Sequence, residues 1–116
     1  MNIIIYGNKD ERDSLCSIVE SHGVLVFRQK QCTFYDNYDD FLNGIQKAVP
    51  ELVIITMDGA GGMEGVIAAR ELHPEAKILW FSNDKAFGPQ SYRLNCTYFA
   101  VKPITEHILN KAFAQI

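Results

Sequence analysis

The stretch Leu52-Val53-Ile54-Ile55-Thr56-Met57-Asp58-Gly59-Ala60-Gly61-Gly62-Met63-Glu64-Gly65 decides the fold. Its first four residues are a short, continuous apolar run, the clearest central strand in the chain. A strand buried on both faces has this composition, because neither face can carry polar residues. Asp58 to Gly62 then reads as a glycine-rich turn. A short helix is expected from about Met63 to Leu72, ending before Pro74 because the residue before proline avoids helical geometry.

The same strand-then-helix rhythm extends outward from this stretch. Ile3-Ile4-Ile5-Tyr6 is a second buried run, broken by Gly7-Asn8. Leu15, Ile18 and Val19 follow at helical spacing, predicting a helix over 10–22 that ends near Gly23. Val24 to Phe27 and Cys32 to Tyr35 are both strand-like, and either could be the next sheet strand. Asp36 or Asn37 is a suitable cap for a helix carrying Phe41, Leu42, Ile45 and Val49, stopped by Pro50. Downstream, Ile78-Leu79-Trp80-Phe81 and Tyr98 to Val101 are further strands. Between them, residues 84–94 should form a connecting helix. Gly88-Pro89 falls in its middle, where proline removes a hydrogen bond and clashes with the preceding turn, so a short or broken element is expected. Ile104, Ile108, Leu109, Ala112, Phe113 and Ile116 mark one face of a last helix.

Five strands alternating with amphipathic helices imply an α/β fold: a doubly wound parallel sheet with helices on both faces, as one domain over residues 1–116. Such folds place their sites at the carboxyl ends of strands. Here those ends are Gly7-Asn8, Thr56 to Asp58, Ser82-Asn83 and Lys102-Pro103.

Composition narrows the function. The chain has 116 residues, 47% of them hydrophobic, enough for one packed core. Its 11 basic and 14 acidic residues give a net charge of −3, and the basic ones form no run, which argues against direct nucleic-acid binding. An odd cysteine count (Cys16, Cys32, Cys96) without C-x-x-C points to reduced thiols in a cytoplasmic protein, each a small buried thiol by default. No apolar run is long enough to span a bilayer, and the amino terminus has no signal-peptide pattern. His22, His73 and His107 lack ligand spacing. Gly59 to Gly62 lacks the phosphate-loop pattern.

Three stretches carry a family resemblance. Leu52 to Ile55 with Gly62-Met63-Glu64-Gly65, Ile78 to Ser82, and Phe99-Ala100-Val101-Lys102-Pro103 resemble the third, fourth and fifth strands of the receiver domain of bacterial response regulators, a flavodoxin-like (CheY-like) fold. Ser91 to Cys96, leading into Lys102-Pro103-Ile104-Thr105, is most similar to receivers of LytTR-type regulators. The resemblance implies Ser82 as a switch hydroxyl, Phe99 as a switch aromatic and Lys102 as the lysine that grips a phosphoryl group. Each also has an ordinary structural reading: a strand-end serine, a core ring, a rim lysine.

Departures from the family pattern bear on function. The resemblance implies an acidic pair after the first strand to hold Mg²⁺. Here that position reads Tyr6-Gly7-Asn8, and a one-residue shift still supplies no carboxylate. The phosphoacceptor aspartate is matched by Thr56, a poor acceptor without an activating base and, structurally, a β-branched residue ending a strand. The helix after Gly65 is about one turn shorter than is usual in the family. Receiver chemistry needs an attacking carboxylate and a cation on the phosphoryl oxygens, and neither is in its expected place. Asp58 is a turn residue, a displaced acceptor, or a partner of Lys102. Lys102 is expected to pair with Asp58 or Asp10, or to sit at the rim. Asp10, Glu11 and Asp13 favour a helix amino terminus electrostatically and make an unpromising metal site.

The expected function is therefore an atypical receiver, a pseudo-receiver acting as a phosphorylation-independent interaction module in transcriptional regulation. It would be no enzyme and would need no metal or cofactor. Residues 84–95 and the helix after Pro103 would form its surface for a protein partner or homodimer. A LytTR-type DNA-binding domain would lie in a longer parent chain, if this is an excised domain and not a stand-alone protein. Two alternatives remain open: a receiver phosphorylated on Asp58, or a small-molecule sensor with its ligand near Asn8, Thr56 and Lys102.

Overall fold

The computed structural model describes residues 1–22 and 29–116. In chain order these form β1 (Asn2–Tyr6), a 3-10 turn (Lys9–Glu11), α1 (Arg12–Ser21), β2 (Gln31–Tyr35), α2 (Tyr38–Lys47) and β3 (Leu52–Ile55). There follow α3 (Gly59–Leu72), β4 (Lys77–Ser82), a second 3-10 turn (Lys85–Phe87), α4 (Gly88–Arg93), β5 (Tyr98–Val101) and α5 (Glu106–Phe113). The strands make one five-stranded sheet of order β2-β1-β3-β4-β5. Every neighbouring pair is parallel. This is the doubly wound α/β fold expected from the alternating pattern. The order reverses direction between β1 and β3, so a crevice opens where Gly7-Asn8 meets Thr56 to Asp58.

Alternation along the central strands divides the core into two layers. Ile3, Ile5, Leu52, Ile54, Leu79 and Phe81 face α1 and α5, meeting Leu15, Val19, Leu109 and Phe113. Ile4, Tyr6, Val53, Ile55, Ile78 and Trp80 face α2 and α3, meeting Phe41, Ile45, Val66 and Ala69. Both faces of β3 are sealed, which is why its sequence carries no polar residue. Aromatic packing knits the second layer: Tyr6 stacks on Phe41 at 4.7 Å, and Trp80 meets Phe99 edge-on at 5.3 Å.

Several sequence expectations are corrected. The glycine-rich stretch is not a turn but the first turn of α3, which begins at Gly59 and runs for 14 residues. Gly59 makes this possible with φ +67°, a backbone geometry that side chains disfavour. The element between β4 and β5 is short as expected, six residues in α4, but Gly88-Pro89 starts it rather than falling in its middle, because a missing N–H in the first turn costs no helical bond. Val49 lies beyond the end of α2 and is 73% exposed, so it is not on the buried face. Asn37 is the cap of α2, accepting a bond from the Asp40 amide at 2.9 Å. The predicted helix over 10–22 divides into the 3-10 turn and α1. Ile104 and Ile116 pack against the core from outside α5. Of the two strand-like stretches after α1, Cys32 to Tyr35 pairs with β1, whereas Val24 to Phe27 lies outside the described residues. Cys16, Cys32 and Cys96 are partly rather than fully buried.

Candidate functional site

Parallel pairing of Tyr6 with Ile55 brings the ends of β1 and β3 side by side. Both the Thr56 and Met57 amides donate to the Tyr6 carbonyl, at 2.8 and 3.2 Å. Gly7 and Thr56 are thereby pressed together. A Cβ placed on Gly7 would lie 2.0 Å from Thr56 Oγ1, inside the hydroxyl itself. Thr56 is wholly buried, and its hydroxyl has no hydrogen-bond partner among the described residues. It fills the corner as a wedge, and only glycine at position 7 leaves it room.

Lys102 reaches this corner from the other side of the sheet. Its amide donates to the Ser82 carbonyl at 2.8 Å, which extends the β4–β5 ladder by one residue past Val101. The Lys102–Pro103 peptide is cis. The side chain crosses the end of β4, and Nζ donates to the Thr56 carbonyl at 2.7 Å. The same ammonium lies 3.0 Å from Asp58 Oδ1 and 3.0 Å from Glu11 Oε2. The ammonium thus hydrogen-bonds one carbonyl and is ion-paired with two carboxylates, of which Asp58 Oδ1 is buried without a hydrogen-bond partner among the described residues. The Lys102 side chain is 16% exposed, that of Glu11 23% and that of Asp58 36%, so the cluster is partly shielded from water.

Asn8 completes the group. Its side-chain Nδ2 donates to Asp58 Oδ2 and to Glu11 Oε1, each at 3.3 Å. Its backbone amide also donates to Glu11 Oε1 at 3.3 Å. Asp58 occupies the cap position of α3 but makes no capping bond there, because its carboxylate is turned to Lys102 and Asn8.

The expected partner of Lys102 is half right. Asp58 is its partner; Asp10 is not, being exposed on the 3-10 turn, and Glu11 takes that place. The i, i+3 relation of Asn8 and Glu11 is the sequence signal that could have found it, since a carboxylate three residues past a cap residue commonly folds back on its amide. Ser82 is buried but faces elsewhere: its Oγ accepts from the Asp84 amide at 3.1 Å and opens the turn toward α4. Phe99 packs on Trp80 and does not join the Lys102 cluster.

A divalent cation fits this corner poorly. The nearby carboxylates already share the Lys102 ammonium, and the buried hydroxyl of Thr56 stands against Gly7. Among the described residues no group of three or more His, Cys, Asp or Glu is placed to hold a metal. Elsewhere, burial pushes the Cys32 thiol up to about 12, with Cys16 and Glu20 adding to the effect. Burial likewise raises Cys96 to about 11, although Arg70 pulls the other way. Tyr6 is also raised, by burial first and then by Glu64 and Tyr38.

No protein-family model matches the chain, and no curated protein sequence matches it either. Solved structures do. The response regulatory domain of mrkE from Klebsiella pneumoniae superposes with TM-score 0.81 at 15% identity, covering 99% of this chain and 93% of that one. The response regulator TrrA from Thermotoga maritima, solved with Mg²⁺ and BeF, gives TM-score 0.75 at 18% identity over 99% and 98% of the two chains. The pilus assembly protein CpaE from Caulobacter crescentus gives TM-score 0.70 at 17% identity over 97% and 89%. The chain thus has the receiver fold. Among the described residues, no helix is long and apolar enough to cross a membrane.

Proposed function

We propose that this chain is a pseudo-receiver: a regulatory module that works through protein contacts and is not switched by phosphorylation. The observation that carries this reading is the engagement of Lys102 by one carbonyl and two carboxylates. A lysine that reports a phosphoryl group needs free donors, and this one already meets Asp58, Glu11 and the Thr56 carbonyl at 3.0, 3.0 and 2.7 Å. Phosphoryl transfer rests on positioned charge around an acceptor carboxylate. The matching position holds a buried threonine wedged against Gly7.

In this reading the output surface is α4, β5 and α5. It carries Tyr92, 88% exposed, and Val101, 40% exposed. The partner is a second copy or another protein, and a LytTR-type DNA-binding domain in a longer chain would make the output transcriptional. The module is a non-enzymatic, cofactor-free and cytoplasmic one, and its signal arrives by binding. Receiver folds occur in response regulators and in a pilus assembly protein alike, so the fold alone does not fix the role.

The test is an amide NMR titration with Mg²⁺ followed by beryllofluoride, with Trp80 fluorescence alongside. The reading expects no saturable shift near Thr56, Ser82 and Lys102. One observation favours a second reading: Asp58 is 36% exposed and lies against Lys102, as a displaced acceptor would. Saturable shifts centred there, abolished in Asp58→Asn, would establish it and overturn the first.

A further inference from the structure

At the pole opposite Lys102, where the strands begin, lies a cavity of about 680 Å³. Its lining is mostly apolar: Met1, Val49, Pro50, Leu72, Ala76 and Ile116. Val49 and Leu72 stand open at its mouth, 73% and 42% exposed. Volumes of roughly 300–1,000 Å³ with apolar walls are typical of small-molecule sites.

The walls are built, not merely adjacent. One wall is the α2–β3 connection, held where the Glu51 amide donates to the Asn2 carbonyl at 2.9 Å. The facing wall is the α3–β4 connection, tied to it by the Lys77 amide on the Glu51 carbonyl at 3.0 Å. The His73 ring bonds the Ile45 carbonyl of α2. Arg70 then fixes the second wall from behind. Its Nη1 donates to the carbonyls of His73, Pro74 and Ala76 at 3.4, 2.8 and 3.0 Å. A concavity whose backbone is tied down this way is preformed, so a ligand entering it has little ordering cost to overcome.

The rim decides the ligand's charge. Glu51 is paired with the Met1 ammonium at 3.7 Å. Glu75 and Lys77 oppose each other in sign, one of each, both exposed. With the Ile116 carboxylate, the lining holds three acids against two cations, so the rim repels an anionic head group.

We propose that this pocket binds an apolar small molecule that carries no anionic group. The same guanidinium that pins the pocket wall also donates from Nε to the Leu94 carbonyl at 2.9 Å and from Nη2 to the Asn95 carbonyl at 3.0 Å. Pocket wall and the end of α4 therefore share one anchor. An occupant has a physical route to the surface proposed above for output, at a site remote from Lys102 and independent of what happens there.

The experiment is a protein-observed NMR titration with 1-octanol, repeated with octanoate. Octanol is expected to give saturable shifts at Val49, Leu72, Ala76 and Lys77, at a midpoint at least about tenfold below that of octanoate. Val49→Glu and Leu72→Glu should each raise that midpoint by at least about tenfold. Both positions are exposed, so these variants should keep the spectrum of the folded chain outside the pocket. The proposal is overturned by any of four results. Octanol fails to saturate up to its solubility limit; octanoate binds as well as octanol; the variants leave the midpoint unchanged; or sedimentation shows a concentration-dependent dimer lost in Leu72→Glu, which would assign the groove to a second copy of the chain.

Discussion

Lys102 Nζ and Asp58 Oδ1 stand 3.0 Å apart although the strands that precede them, β5 and β3, are separated by β4. The ammonium spans the carboxyl end of the sheet and leaves Asp58 and Glu11 dependent on it. Lys102→Met is therefore expected to cost about 1–2 kcal/mol, between the ranges for exposed and buried pairs. Adding Asp58→Asn and Glu11→Gln should recover part of that loss, since the stranded charges are then gone. Urea unfolding of the single and triple variants measures both. Equal stability of all three would show that the cluster contributes nothing.

Gly7 and Thr56 should behave as one packing unit. Gly7→Ala alone is expected to destabilise by about 1–3 kcal/mol, the range for overpacking a filled site. In a Thr56→Ala background the same change should cost less, giving a coupling of about 1 kcal/mol or more in a double-mutant cycle. Additive effects would mean that the two side chains do not compete for the corner.

A carboxylate placed at position 56 should not by itself create a phosphorylation switch. Thr56→Asp supplies a carboxylate, but Gly7-Asn8 still supplies no acidic partner for a cation. No Mg²⁺-dependent response to beryllofluoride is expected in the amide spectrum of this variant. A response with normal saturation would show that Glu11 or Asp58 can be released from Lys102 to serve the metal.

Arg70 should be among the costliest side chains to remove. It donates to five backbone carbonyls, those of His73, Pro74, Ala76, Leu94 and Asn95. Arg70→Met would strand these acceptors, some of them partly buried, at a cost of about 2–4 kcal/mol. Arg70→Lys should rescue little, because an ammonium lacks the planar fork. Hydrogen exchange would show the loss as lower protection at the end of α4, near Asn95 and Cys96.

Thiol reactivity should follow burial. With Cys32 pushed up to about 12 and Cys96 to about 11, both remain protonated at pH 8, and iodoacetamide should label them slowly in the folded chain. The sign of the linkage is fixed by the upward shift: folding favours the neutral thiol. This contribution to stability is intact below the ordinary value of 9.0 and is lost as pH rises toward 12. Cys32→Ser should flatten the decline of stability over that window.

The architecture is legible because the middles of β1, β3 and β4 are buried on both faces and are written in apolar residues. Lys102 and Asp58 were legible as strand-end positions in a parallel sheet. What escaped depended on context beyond the local chain. Gly59 to Gly62 has turn composition, yet α3 begins there because Gly59 can take φ +67° and the following glycines continue the helix. Pro89 looked like a breaker because only the helix boundary tells whether proline stands at a first turn or inside. Glu11 was hidden among Asp10 and Asp13, equally good for a helix start; only the third dimension distinguishes the one that reaches Lys102. Arg70 gave no signal, since its partners are all carbonyls, which sequence does not display.

The fit of Thr56 beneath Gly7 also limits how this corner can change over time. While the threonine stands there, any side chain at position 7 collides with it. The two residues form a lock that turns only if both move together, so this corner tolerates paired substitutions and resists single ones.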